Sequence, residues 1–194
     1  MGIVDNTWHD SSNEIEEKLS GKNAELKHVC ELSADYEAIY HMIGDFIEAK
    51  NIIKIADLWV LTTCLTYIYN NFYGSKYEFH NGEVTGTHPD PAIRMRLALS
   101  HINYIITSDG MNKFFEQGKT KEDYINTVRH AYDVANFYIA HLYHSDMKPQ
   151  FMDRVYTVDT KDKYYQSIAT TWKDIRNDIK TQYMGLNDFP FMQL

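Results

Sequence analysis

Two short stretches of this sequence carry side chains whose types and spacing could do chemistry. Glu31-Leu32-Ser33-Ala34-Asp35 sets two carboxylates four residues apart, and on a helix these share one face, a turn from each other. Such acidic pairs also occur on ordinary solvated helix faces. The second stretch is Thr87-His88-Pro89-Asp90-Pro91-Ala92-Ile93-Arg94-Met95, with an imidazole just before a helix start and a guanidinium one turn inside it. A helical side chain leans back toward the helix N-terminus. Arg94 is therefore expected near Asp90, or on the Glu31–Asp35 face, where a carboxylate can accept its fork bidentately.

A third group lies on one helical stripe: His130, Asp133, Phe137, His141 and His144, with Glu37 and His41 as an i, i+4 pair elsewhere. Helical bundles can build metal sites from such inward imidazoles and carboxylates. The alternative is that Phe137, with Ala131, Val134, Tyr138 and Leu142, makes a core face and the histidines are its polar border. His28, one turn before Glu31, is read as a helix-surface histidine or an unusual ligand. The sequence has no G-x-S-x-G, no P-loop, no glycine fingerprint for a dinucleotide and no C-x-x-C.

The elements that must position these residues are mostly helices. Val29, Leu32, Tyr36, Ile39, Tyr40, Ile43 and Ile47 step by three and four, which predicts a helix from Asn23 to about Lys50. A second apolar helix, Ile52–Asn70, follows and is read as buried, because its uncharged part is too short to span a bilayer. Tyr77 and Phe79 alternate with polar residues before Asn81-Gly82, a strong hairpin signal. Asp90 is a good N-cap and Pro91 suits the first helical position, so a helix is predicted to about Thr107. A short helix at Met111–Glu116 ends at Gly118. Thr120 and Asp123 resemble a capping box opening a helix to His144, with Pro149 beyond its end. A last helix runs from Lys161 to about Tyr183. The expected fold is mostly α: one domain of about five to seven helices over 23–194, with one small β-hairpin near 76–86. Residues 1–22 form a polar N-terminal segment holding only a short helix, Glu14–Leu19.

The 194 residues carry 19 lysines and arginines against 27 acidic residues, a net charge of −8. Direct nucleic-acid binding is not expected, since it needs clustered positive charge to displace counterions. Cys30 and Cys64 are read as small core hydrophobes in a cytoplasmic protein, and Met1–Asp10 has no secretory pattern. Fifteen tyrosines among the aromatics point to a core or interface built from large amphipathic rings.

Taken in order, the E-L-x-A-D-x-x-A element at Glu31–Ala38 and the T-H-P-x-x-x-R element at Thr87–Arg94 resemble gluzincin-type zinc peptidases. The likeness is to the Lit-type phage-exclusion peptidases and their HtpX-like relatives, over roughly residues 28–106. The resemblance implies that Glu31 is a zinc ligand and that Asp35 orients a ligating imidazole. It further implies that His88 and Arg94 bind substrate or stabilise the oxyanion that forms when zinc-bound water attacks a peptide carbonyl. The departure is the H-E-x-x-H that gluzincins use for two zinc ligands and a base. The nearest counterpart is His9-Asp10-Ser11-Ser12-Asn13, with His9 as metal ligand, Asp10 in the place of the base and Asn13 where the second imidazole should be. The resemblance thus implies a fragment or a degenerate member, with activity left open and zinc-dependent peptide hydrolysis as the activity if one is kept, and no tightly held stoichiometric zinc is expected. The alternative is a non-enzymatic, acidic helical binding protein of bacteriophage or mobile-element type that inhibits a host protein machine. Both expect a protein or peptide partner and no membrane; oligomeric state is left open.

Overall fold

The computed structural model describes residues 22–72, 84, 86, 88–143, 148–157 and 163–180. Among these, the elements are α1 (Lys22–Lys50), α2 (Ile55–Phe72), α3 (Pro91–Thr107), a 3-10 turn (Met111–Phe114), α4 (Lys121–Tyr143), α5 (Lys148–Thr157) and α6 (Lys163–Lys180). The expected hairpin near 76–86 lies outside the described residues except for Val84 and Gly86. Neither of these is in a strand, and no strand occurs among the described residues. The polar segment 1–22, with the short helix expected at Glu14–Leu19, also lies outside them apart from Lys22.

The chain divides into two compact units. The first takes the described parts of Met1–Ser33, Glu78–Pro89 and Asp159–Leu194; the second takes those of Ala34–Tyr77 and Asp90–Val158. α1 gives its first turns to one unit and the remainder to the other.

In the first unit, the start of α1 pairs with α6 in antiparallel order. Lys22 reaches Asp174 at 3.2 Å, Thr171 donates to Glu25 at 2.7 Å with Ser167 beside it, and His28 Nδ1 lies 3.0 Å from the Tyr164 hydroxyl. Burial works against the Glu25 charge, but the two hydroxyl donors and Lys22 outweigh it and lower the carboxyl's pKa. Ala24, Val29 and Leu32 are buried on α1, and Tyr164, Ile168 and Trp172 on α6, at helical spacing on both helices. His28 is buried rather than on the surface, which corrects the sequence reading.

The second unit holds the larger core. Ile39 and Ile43 of α1 join Leu58, Leu61, Leu65 and Tyr69 of α2; Met95, Ile102 and Ile106 of α3; Tyr124, Val128 and Tyr132 of α4; and Phe151 and Val155 of α5. α3 starts where its cap and proline require, with Asp90 accepting from Ala92 N–H at 2.7 Å. The Thr120–Asp123 box also forms: Thr120 N–H donates to the Asp123 carboxylate at 2.8 Å, and Asp123 N–H donates back to Thr120 Oγ1 at 3.3 Å. Pro149 lies beyond the end of α4 at Tyr143 and also belongs to the first turn of α5. Proline both starts and stops helices, and the buried Phe151–Val155 pair is the signal that separates the two cases.

The residues between α1 and α2 do more than link a hairpin. Asn51 ends α1 at φ +51°, the left-handed position that asparagine tolerates. Ile53 then forms a parallel bridge with Phe115, its N–H donating to the Phe114 carbonyl at 2.7 Å. Tyr124 donates its hydroxyl to the Ile53 carbonyl at 2.5 Å and accepts from Glu116 N–H at 2.8 Å. The Glu116 side chain in turn caps α2, accepting from Ile55 N–H at 2.8 Å. One buried phenol therefore satisfies two backbone groups more than sixty residues apart in sequence. Tyr124→Phe keeps the ring and strands both groups. It is expected to lower stability by about 1–3 kcal/mol, read from urea unfolding.

Candidate functional site

The acidic and basic elements meet in pairs, one pair within each unit. In the first unit, Glu31 Oε1 on α1 contacts His88 Nδ1, with His88 half-exposed and Glu31 more covered. A structure in which water alone faced Glu31 would have removed the basis for linking the two elements; instead the carboxylate and imidazole form an ion-pair geometry.

In the second unit, Arg94 on α3 grips Asp35 on α1 with both arms of its fork. Nε donates to Oδ2 and Nη2 to Oδ1, each at 2.7 Å. The side chains are only 21% and 19% exposed. The guanidinium also lies 5.2 Å from the centre of the Tyr69 ring, within cation–π range. Burial, followed by the Asp35 charge, pushes the Tyr69 phenol well above its ordinary value, so it stays protonated and can donate to the carboxylate. Three side chains from three helices thus close one charge-compensated cluster. Arg94 does lean back as expected, and it finds Asp35.

Asp90 is occupied by helix capping. Burial raises its pKa, opposed by the Ala92 N–H and by Arg154, whose Nε stands 3.8 Å away. His9 and Asp10 lie outside the described residues. Among the described residues no three histidines, cysteines, aspartates or glutamates come together as a metal-holding group.

The α4 stripe does not face inward. His130 stands edge-on to Trp59 with ring centres 5.2 Å apart, and His141 packs against exposed Phe137 at 4.2 Å. Asp133 accepts from the Tyr156 hydroxyl, and His144 lies outside the described residues. The core face of α4 is instead Tyr124, Val128, Ala131, Tyr132, Ala135 and Ile139. Glu37 and His41 pair along the surface at 3.5 Å. Both cysteines are exposed, not core residues as expected, because each sits on the side of its helix opposite the buried row.

One buried group escaped the sequence reading. His101 of α3 is 1% exposed, its ring centre 3.4 Å from that of Tyr36 with the two planes tilted by 32°. Burial pulls its pKa down to about 3, so it is a neutral imidazole in the core. Its place in the Ala98–Ile102–Ile105 row was the available signal.

No protein-family model matches this chain, and neither a curated protein nor a solved structure matches it significantly. No helix among the described residues is long and apolar enough to cross a membrane.

Two measurements check the geometry. Arg94→Ala leaves Asp35 buried without its fork and is expected to cost about 2–4 kcal/mol in urea unfolding, with lysine recovering less than half. For His101, the folded pKa lies below the unfolded value of about 6.5, so the unfolded state binds more protons as pH falls. Its contribution is complete above pH 6.5 and is lost toward pH 3, at about 1.4 kcal/mol per unit. His101→Leu is expected to flatten that slope between pH 6 and 4.

Proposed function

We propose that the chain is a gluzincin-like peptidase scaffold of degenerate type, in which Glu31 stands at the carboxylate-ligand position. His9-Asp10-Ser11-Ser12-Asn13 stands where the H-E-x-x-H would be. The observation that carries the reading is the double pairing of the two elements, Glu31 with His88 and Asp35 with Arg94. Paired order in sequence and pairing in space are independent, and a chance resemblance of two short motifs does not require the second.

In this reading Asp35 and Arg94 tie α1 to α3, while Glu31 and His88 form the more exposed pair. A peptide or protein is the ligand class. With asparagine a poor zinc ligand and aspartate one methylene shorter than glutamate, the native chain binds rather than cleaves. Two exposed free thiols suit a reducing, cytoplasmic compartment.

A second reading, an acidic binding protein without peptidase ancestry, is favoured by the 60% exposure of both Phe137 and Tyr138, since exposed aromatics are common interface anchors. Zinc separates the two. The double substitution Asp10→Glu with Asn13→His writes a complete H-E-x-x-H at positions 9–13. The scaffold reading expects elemental analysis to rise to about one zinc per chain and to fall again on adding Glu31→Gln. A double variant that gains no zinc, or gains zinc indifferent to Glu31, contradicts it.

A further inference from the structure

The outer side of α2 is uncharged from end to end. Ala56, Val60, Cys64, Ile68 and Phe72 recur every fourth residue, and all five are exposed; Val60 and Phe72 reach 59% and 62%. Every fourth residue forms a continuous ridge along a helix. The row beside it, Trp59, Thr63, Tyr67 and Asn71, carries no charge either. The one ionisable side chain near the helix start, Asp57, is held by Lys50 at 3.0 Å. In a chain with 24% charged residues and a net charge of −8, an apolar ridge of about five turns on the water side is unusual, and such patches mark contact sites.

We infer that this ridge is the two-fold interface of a homodimer, with α2 of two copies antiparallel and Cys64 at the axis. Three features select a second copy over another partner. A basic or acidic partner would be recognised by charge, and the face has none to offer. The ridge is also graded in size about its middle: Ala56 and Val60 lie on one side of Cys64, and Ile68 and Phe72 on the other. A two-fold axis through Cys64 sets Ala56 against the copy's Phe72 and Val60 against its Ile68. Small then meets large along the whole row, as self-complementary interfaces require. Finally, the ridge keeps Val60, Ile68 and Phe72 at 59%, 44% and 62% exposure, apolar surface that the same ridge of a second copy would cover on both chains at once. This inference is independent of the peptidase reading, because no residue of the ridge belongs to the Glu31–His88 or Asp35–Arg94 pairs.

The test uses the full chain with Cys30→Ser, so that Cys64 is its one thiol. Sedimentation at tens of micromolar is expected to give twice the 22.8 kDa chain mass. Mild oxidation is expected to give a Cys64–Cys64 disulfide dimer, since an axis through the residue brings the two Cβ atoms within bridging range. Ile68→Lys places like charges in the contact and is expected to weaken dimerisation at least tenfold, with helical circular dichroism unchanged. A monomer at these concentrations overturns the proposal. So does a dimer that neither cross-links at Cys64 nor responds to Ile68→Lys, which would use another face. A monomer whose Cys64 resists a thiol reagent would show the ridge covered by the chain itself, and a monomer that pellets with phosphatidylcholine vesicles would show a lipid-facing ridge; either result overturns it too.

Discussion

The bidentate grip of Arg94 on Asp35 is the constraint on which the packing of α3 against α1 within the second unit depends. Both charges are mostly removed from water, and a half-buried ion pair is tolerable only when geometry and neighbours compensate its desolvation. Here the fork supplies two 2.7 Å hydrogen bonds, and Tyr69 adds a ring under the guanidinium. The pair fixes where α3 meets α1. Since Asp90 and Pro91 also fix where α3 begins, the position of Arg94 along the helix leaves little freedom. Such an arrangement serves alignment more than stability: a hydrophobic pair could hold the helices as firmly, but would slide more easily.

Much of this organisation was legible in the residues. Asp90-Pro91 announced the start of α3 because cap and ring preferences are local, and the Thr120–Asp123 box announced α4 for the same reason. The bond between Arg94 and Asp35 was legible through the direction of a helical side chain together with the order of the two elements. What could not be read was non-local and aperiodic. The Ile53–Phe115 bridge joins single residues with no alternating pattern around them, and the role of Tyr124 depends on two backbone groups that no spacing rule connects. His101 looked like any polar residue in an apolar row until its burial was known. α5 carries no long periodic signal either: its 10 residues offer only Phe151 and Val155 as a buried pair.

The misread cysteines follow from one assumption: that an apolar helix is buried all round. α2 is buried along Leu58, Leu61, Leu65 and Tyr69 and exposed along the Cys64 ridge. Hydrophobic periodicity finds the first row because it is regular, yet the second row is equally regular and equally apolar. Only exposure distinguishes a core face from a contact face. The α4 stripe fails in the opposite sense, since His141 packs against exposed Phe137 and the exposed His130 against half-buried Trp59 rather than into a core.

A double-mutant cycle on Asp35→Ala and Arg94→Ala tests most directly whether the acidic and basic elements are built for each other. Unfolding free energies of the wild type, both single variants and the double variant isolate the coupling between the two side chains. The double variant is expected to be less destabilised than the sum of the singles, by at least about 1 kcal/mol, because removing either partner strands the other. Additivity within about 0.5 kcal/mol would show two independent surface charges and would contradict it.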